Sequence, residues 1–298
     1  MDIAGKLTGL GHSLRTRQWE ISTTEALKKV LIYGLVIPLS LLFAAPLLWM
    51  ISTSLKTDPQ VYRIPPVWIP NPIRFLNYPE ALVIRPFKLY FLNTLRFALP
   101  TVVGAVVSNS LVAYGFARIH WPGRNLAFSV CLATMMIPFQ VRMIPLYVFF
   151  SKIQWVNSYK PLIVPAFFGA PYFIFMLRQF FLTIPYELSD AARVDGCSEL
   201  GIFFRIILPL AKPALAVVAL LQFRGAWNNY LGPLIYLNRE SQFPVALGIQ
   251  QFKSMFQEKN LWPYMMAVST VVVIPPIAIF FLTQRTFIEG ISITGMKG

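Results

Sequence analysis

Long apolar runs without a formal charge limit what this chain can fold into. Val30–Ile51, Phe97–Ala117 and Leu261–Gln284 contain no Asp, Glu, Lys or Arg. Asn125–Val141 and Pro161–Leu177 are shorter runs of the same kind. A helix needs about 20 mostly apolar residues to cross the hydrocarbon layer of a membrane. The runs therefore predict membrane-spanning helices.

A sixth run, Pro213–Leu237, is interrupted by Arg224. We therefore predict an all-α polytopic membrane protein with six spans. A soluble protein with buried core helices is the alternative, but core helices seldom stay uncharged for this long. The runs also lack the two-residue alternation of outer-membrane strands, and only a helix satisfies its own backbone groups in lipid.

Prolines lie inside several of these spans, namely Pro38, Pro46, Pro100, Pro138, Pro275 and Pro276. Each proline removes a backbone donor, which predicts a kink in its helix. The kinks could serve helix packing or the hinges of a moving pathway, and packing is the simpler interpretation.

The charge distribution does not determine the orientation of the spans. The formal net charge is +14, from 26 Lys and Arg and 12 Asp and Glu. If the N-terminus lies inside, outer segments hold 12 basic and four acidic residues (+8), and inner segments hold 13 and eight (+5), with Arg96 in the second span. The positive-inside rule gives no decision. The basic outer face would attract an acidic ligand, an acidic partner protein or anionic lipid headgroups.

The segment between the fourth and fifth spans, residues 185–209, carries the most informative pattern. Pro185 suits the first turn of a helix, and Glu187 and Asp190 complement its positive end. Gly196 permits a reversal of the backbone, and Ser198 can cap a second helix. These residues predict two short helices around a turn.

The second arm of this hairpin has apolar residues at helical spacing. Leu200, Phe203, Phe204 and Ile207 follow the i, i+3, i+4, i+7 pattern and predict one apolar stripe. Pro209 and Pro213 limit continuation into the next span. We therefore predict an amphipathic helical hairpin that leaves the bilayer and offers a face to another molecule.

This hairpin resembles the "EAA loop" of ABC importer permeases, in which Glu-Ala-Ala is followed at fixed distances by Gly and Ile-x-Leu-Pro. Asp190, Ala191 and Ala192, then Gly196, then Ile206-x-Leu208-Pro209 stand at that spacing, with Asp190 in place of Glu. Four further stretches are similar to the sugar-importing branch: Pro65-Pro66-x-Trp68-Ile69-Pro70, Ala113 to Arg118 with Trp121 to Arg124, Trp227-Asn228-Asn229, and Gln284 to Gly290 with Lys297-Gly298. The chain looks most like the smaller permease of maltose-type (type I) importers.

The resemblance implies a cytoplasmic segment 1–29, a six-span permease domain 30–287 with coupling helices at 185–209, and a cytoplasmic tail 288–298. It places the chain in the bacterial cytoplasmic (inner) membrane, with both termini cytoplasmic. It implies a second, usually different permease, two ATPase subunits that bind ATP and Mg, and an extracytoplasmic substrate-binding protein. Membrane lipid and a carbohydrate are the other expected partners, and nucleic acid is not. An oligosaccharide is the expected substrate, and the basic outer face favours an acidic glycan such as alginate.

The resemblance also assigns residues to roles. The residues that would dock on or couple to the ATPase are Glu187, Asp190, Ala191, Ala192, Asp195, Gly196, Leu200, Phe203, Ile206, Leu208 and Pro209. Gly290, Gly295 and Lys297 in the tail would reach the ATPase interface. Aromatic and amide side chains in or near the spans suit a sugar pathway: Asn109, Gln140, Tyr172, Gln222, Trp227, Asn228 and Asn229. Interhelical hydrogen bonding uses the same residue types and is the alternative for each.

Catalysis is not predicted for this chain, and neither is a metal or a cofactor of its own. Gly290-x4-Gly295 has Walker A spacing, but the Lys-Ser/Thr pair does not follow. The two histidines, His12 and His120, cannot form a triad or a metal cluster and are expected in solvated loops. A membrane-embedded enzyme therefore lacks an acid–base pair. The apolar runs contain no Asp or Glu, which disfavours the alternative of an ATP-independent secondary transporter or channel for a polar solute.

Overall fold

The computed structural model of the protein describes residues 23–255 and 261–295. All regular structure in these residues is helical, which confirms the all-α class. The contacts divide the chain into two compact units, residues 1–52 and 53–298. The first unit contains most of one long apolar helix, and the second contains the hairpin and the other helices.

The helices that precede residue 185 are α1 (Thr23–Ser54), α2 (Asp58–Val61), α3 (Asn77–Ile84), α4 (Phe87–Ala117), α5 (Arg124–Ala133), α6 (Phe139–Lys152), α7 (Lys160–Ile163) and α8 (Pro171–Thr183). The 3-10 turn Thr134–Met136 follows α5, and the 3-10 segment Val164–Phe168 follows α7.

The helices after residue 185 are α9 (Tyr186–Val194), α10 (Glu199–Ile202), α11 (Leu208–Leu210), α12 (Lys212–Trp227), α13 (Leu231–Tyr236), α14 (Val245–Met255) and α15 (Trp262–Gly295). A π-helical turn, Phe203–Ile207, joins α10 to α11. A 3-10 turn, Glu240–Gln242, lies between α13 and α14.

Length and composition allow four helical crossings of a membrane in the described residues, or up to six if each of two bent pairs forms one span. The four are Ala26–Ser54, Phe87–Ala117, Lys160–Thr183 and Trp262–Gln284. The bent pairs are residues 124–136 with α6, at 96°, and residues 199–210 with α12, at 79°. The predicted number of six agrees with the upper count.

The third predicted span, Asn125–Val141, is not one straight helix, because its 96° bend falls at Ile137 and Pro138. Proline lacks a backbone N–H and pushes the preceding residue out of the helical region, and Ile137 has an extended ψ of 110°. By contrast, Pro100 remains inside the continuous helix α4. The fifth predicted span in chain order, Pro213–Leu237, is also shorter than expected, since α12 ends at Trp227.

The core of residues 53–298 consists of two apolar clusters, and α4 contributes to both. The hairpin cluster surrounds the C-terminal end of α4 and includes Tyr114, Phe181 and Phe203. The loop cluster surrounds the N-terminal end of α4 and includes Tyr90 and Trp227. The long helix α4 therefore connects the hairpin cluster to the loop cluster.

Two predicted boundaries do not coincide with helix ends. The helix α15 runs through residue 288 to Gly295 without a break, so Gly290 and Gly295 lie in its last turns. The helix α1 begins at Thr23, ahead of the predicted limit at residue 30. His12 and Lys297 lie outside the described residues, and His120 is exposed in a loop as expected.

Candidate functional site

The hairpin at residues 185–210 reverses direction through a Schellman motif at Gly196. Gly196 has a φ of +79°. The Cys197 N–H donates to the Ala192 carbonyl at 2.9 Å, and the Gly196 N–H donates to the Arg193 carbonyl at 3.0 Å. This pair of bonds defines the motif and requires a left-handed residue. A Cβ at position 196 would meet no atom within 4 Å, so the backbone angle is what requires glycine there.

The second arm begins at Ser198, whose Oγ accepts a hydrogen bond from the Gly201 N–H at 3.2 Å. This confirms the predicted cap. The arm then passes through the π-turn, in which the Leu208 N–H donates to the Phe203 carbonyl. It meets α12 at a bend of 79°, and Pro213 lies in the first turn of α12.

The predicted apolar stripe of the second arm is wrong. Phe203 and Ile207 are buried, but Leu200 and Phe204 are 63% and 58% exposed, and Ile202 is buried instead of Leu200. A π-turn closes its hydrogen-bonded ring over one more residue than an α-turn. The side-chain spacing therefore changes within the arm, and the four residues do not share one face.

The exposed side of the hairpin is partly apolar, with Leu188 and Val194 43% and 88% exposed beside Leu200 and Phe204. An apolar patch bordered by charges is typical of a surface that binds another protein. The other predicted coupling residues with exposed side chains or backbone are Glu187, Asp190, Ala191, Asp195, Gly196 and Pro209, and Ile206 and Leu208 are half-buried. Ala192 and Phe203 are buried, so they can act only by positioning the hairpin.

A chain of polar contacts connects both arms of the hairpin to α4. Arg193 Nη1 lies 2.6 Å from Asp190 Oδ1, and Arg193 Nε donates to Glu199 Oε1 at 2.8 Å. The Tyr114 hydroxyl, on α4, donates to Glu199 Oε2 at 2.6 Å. The hydrogen bond to Glu199 raises the pKa of Arg193, which keeps the guanidinium charged. These contacts make α9, α10 and α4 one connected element.

Arg118 is only 1% exposed and stabilises the base of the hairpin, where the chain leaves α8. Its Nη2 donates to the Phe181 carbonyl at 2.7 Å and also to the Ile184 carbonyl. The last carbonyls of a helix lack partners within the helix, so the guanidinium satisfies the end of α8. It also lies 4.3 Å over the ring of Tyr186, whose hydroxyl donates to the Ala117 carbonyl at 2.8 Å.

No role was predicted from the sequence for Tyr114, Arg118 or Arg193. A signal for Arg118 was present, because it is the first charged residue after the uncharged part of α4. A signal for Arg193 was its position three residues after Asp190, where a helical turn brings opposite charges together. The contact between Tyr114 and Glu199 spans 85 residues and has no local signal.

Among the candidate pathway residues, Asn109 is fully buried. Its Oδ1 accepts from the Ala170 N–H at 2.6 Å, and its Nδ2 donates to the Ala105 carbonyl at 2.5 Å. The neighbouring Ser108 hydroxyl donates to the Ala166 carbonyl at 2.9 Å. These contacts correspond to the interhelical alternative, and they hold α4 against the chain that precedes α8.

The remaining candidate pathway residues lie at several places. Trp227 is 1% exposed and its Nε1 donates to the Val272 carbonyl at 3.1 Å, which joins α12 to α15. Asn229 is half-buried, and its Oδ1 accepts from the Gly232 N–H at 3.0 Å. Gln140 in α6, Tyr172 in α8 and Asn228 after α12 are exposed, and Gln222 in α12 is half-buried.

Comparison with known proteins identifies relatives along most of the chain. The model of the family "binding-protein-dependent transport system inner membrane component" matches residues 105–292. The chain is 35% identical over 263 residues to the arabinooligosaccharides transport system permease protein AraQ of Halalkalibacterium halodurans, covering 85% of this chain and 91% of that protein. It is 32% identical over 268 residues to the sn-glycerol-3-phosphate transport system permease protein UgpE of Yersinia enterocolitica, covering 88% and 93%.

A solved structure shares the fold. A chain in the crystal structure of a bacterial ABC transporter involved in the import of the acidic polysaccharide alginate superposes with a TM-score of 0.77 at 22% sequence identity. The superposition covers 89% of this chain and 98% of that chain. The bent helical pairs and the hairpin therefore belong to an architecture seen in a transporter subunit.

Proposed function

Because the chain belongs to the family of binding-protein-dependent transport system inner membrane components, we propose that it is a permease subunit of an ATP-driven carbohydrate importer. The substrate class is an oligosaccharide. Support comes from AraQ, which is named for arabinooligosaccharides, and from the fold shared with a subunit of an alginate importer. The basic outer segments support an acidic glycan.

The hairpin is the part that couples this chain to an ATPase. The observation that carries this proposal is the exposure of four apolar side chains of the hairpin, Leu188, Val194, Leu200 and Phe204, on an element that is hydrogen-bonded to α4 through Tyr114. An element can transmit force to a helix only if it is connected to that helix. A displacement of the hairpin by the ATPase would therefore be transmitted directly to the membrane helices.

The rest of the assembly follows from this role. Two ATPase subunits bind ATP and Mg, a second permease completes the pathway, and an extracytoplasmic binding protein delivers the substrate. The hairpin and both termini lie in the cytoplasm of a bacterium. Gly290, Gly295 and Lys297 extend toward the ATPase interface. Gln140, Tyr172, Gln222, Asn228 and Asn229 are the candidate pathway residues with side chains available to a solute.

The experiment uses the complex that co-purifies with this chain in mild detergent, reconstituted in vesicles with its binding protein. We expect carbohydrate uptake that requires ATP and persists when proton and sodium gradients are collapsed. Gly196→Leu is expected to abolish substrate-stimulated ATPase activity, because a left-handed backbone costs a residue with a Cβ about 1–2 kcal/mol and the turn would open.

Gly196→Asn is the matched variant, because asparagine tolerates the left-handed conformation and can occupy this cap position. We expect it to retain most of the stimulated activity. Normal stimulation in Gly196→Leu would show that the hairpin turn does not couple the subunits. Uptake that is independent of ATP but lost with the ion gradients would favour the secondary transporter.

A further inference from the structure

A cavity of about 570 Å³ lies between α6, the segment from α7 to Phe168, and the residues that follow α12. Small-molecule sites in proteins typically have volumes of roughly 300–1,000 Å³. In the proposed topology α6 is the second half of the third span, the segment from α7 to Phe168 is the first part of the fourth, and the residues after α12 follow the fifth. All of them therefore lie on the outer side, where a substrate arrives.

One charged side chain, that of Arg142, lines this cavity. None of the described residues accepts a hydrogen bond or forms an ion pair with its guanidinium. By contrast, Arg74 lies 2.9 Å from Glu80 and Arg85 lies 2.8 Å from Glu240. The sequences of the cavity elements contain no Asp or Glu. The Arg142 side chain is exposed, so its guanidinium is accessible to a ligand in the cavity.

Asn229 adds a second donor to the cavity wall. Its Oδ1 is occupied by the Gly232 N–H, which leaves the Nδ2 hydrogens to donate. Gly232 maintains this arrangement, because a Cβ there would lie 3.0 Å from Asn229 Nδ2 and 2.9 Å from Leu162 Cδ2. The polar side chains of this wall therefore offer donors, which suits an anion or a hydroxyl group.

Aromatic side chains form the apolar part of the wall, with Phe139, Phe150 and Tyr236 among the lining residues. Phe150 and Tyr236 contact each other edge to face, with ring centroids 5.6 Å apart. Aromatic surface beside a few fixed polar groups is the typical composition of a small-molecule site. A planar guanidinium matches a carboxylate with two parallel hydrogen bonds.

We propose that this cavity binds a carboxylate-bearing sugar unit of an acidic oligosaccharide on its way into the pathway. Arg142 holds the carboxylate, Asn229 donates to the same sugar, and the aromatic wall contacts the ring. This proposal rests on the proposed import function and goes beyond it by assigning the site that binds the acidic group of the substrate. It predicts that the charge of Arg142 matters for acidic sugars and not for neutral ones.

The test measures uptake into vesicles that contain the complete complex and its binding protein. The probes are the β-1,4-linked trisaccharides of mannuronate and of mannose, which differ at carbon 6. We expect Arg142→Gln to reduce mannuronate uptake by about tenfold or more, since hydrogen bonds to charged groups are the stronger ones. Arg142→Lys should retain part of the uptake. The control is Lys152→Gln, which removes the same charge from an exposed position on α6 outside the cavity and should change nothing.

The outcomes separate this proposal from the proposed function. Equal mannuronate uptake in wild type and Arg142→Gln overturns the cavity proposal, as does wild-type uptake of the mannose trisaccharide alone or an equal loss in Lys152→Gln. Import function survives each of these results. Failure of the complex to take up any carbohydrate with ATP overturns the proposed function itself. Size-exclusion elution of each variant complex shows that assembly is unchanged.

Discussion

The base of the hairpin and the cavity beside α6 use the same type of side chain in opposite ways. Arg118 is buried, and the chain itself supplies its carbonyl acceptors at the end of α8. Arg142 lines a cavity, and no described residue supplies an acceptor. The difference shows that the acceptors around an arginine, not the arginine itself, distinguish a structural role from one that awaits a ligand.

Arg118→Ala is the strongest way to test this comparison. The substitution removes the Arg118 donor from the Ile184 carbonyl and leaves the Phe181 carbonyl with only the Ile184 N–H, at 3.3 Å, and an unsatisfied buried group costs about 1–3 kcal/mol. We expect a total loss of about 3 kcal/mol, measured as a lower thermal unfolding midpoint of the purified complex. Arg142→Ala is the matched control and should leave the midpoint nearly unchanged. Equal losses in the two variants would remove the distinction between them.

A smaller effect is expected where the hairpin meets α4. Tyr114→Phe removes the hydroxyl that donates to the Glu199 carboxylate, and Glu199→Gln removes the charge of that acceptor and its ion pair with Arg193. The Glu199 side chain is 44% exposed, so each substitution should cost less than about 1 kcal/mol in stability. We expect each to reduce substrate-stimulated ATPase activity while basal activity is retained.

The double variant Tyr114→Phe/Glu199→Gln sharpens this test. Two substitutions that remove one interaction are not additive. The double variant should therefore lose no more stimulation than the more affected single variant. Fully additive losses would indicate that the two residues act separately and that the contact does not transmit force.

The smallest effect concerns Glu80, in α3. It accepts hydrogen bonds from the Tyr264 hydroxyl at 2.6 Å and from Arg74 at 2.9 Å. These contacts, that of Tyr264 first, lower the pKa of Glu80 below 4.5. The stability that they provide is therefore present above the ordinary carboxyl pKa and is lost as the pH falls through the lowered pKa.

Thermal unfolding of wild type and Glu80→Gln between neutral and acid pH measures this contribution. We expect the difference between their midpoints to shrink as the pH falls, because wild-type Glu80 becomes protonated. A difference that stays constant over the whole range would mean that Glu80 contributes through packing and not through its charge.

The features that neighbouring residues determine could be predicted from the sequence. Gly196 and Ser198 act on the backbone within a few residues, so the turn and the second cap were correct. Four of the apolar runs likewise predicted helices that are each long enough to cross the bilayer. The family pattern predicted which segment forms the hairpin.

Features that depend on distant contacts could not be predicted. Each of six prolines predicted a kink, but a helix breaks only at Pro138, and the other five prolines lie inside continuous helices. Asn109 could equally have faced a pathway, and only the position of Ala170 shows that it joins two helices. The cavity combines residues from three separate parts of the chain, and nothing near Arg142 in the sequence indicates that Asn229 lies beside it.

The π-turn at Phe203–Ile207 affects the rotational orientation of the hairpin tip relative to α12. An α-helix advances about 100° per residue, and a π-turn accommodates one residue more than the α-turn it replaces. Without that extra residue, the residues that precede Phe203 would rotate about the helix axis by about a quarter of a circle relative to α12. Glu199 would then point away from Tyr114, although every amino acid in the tip had been retained. The orientation of the tip thus depends on the length of the chain behind it as much as on the tip's own composition.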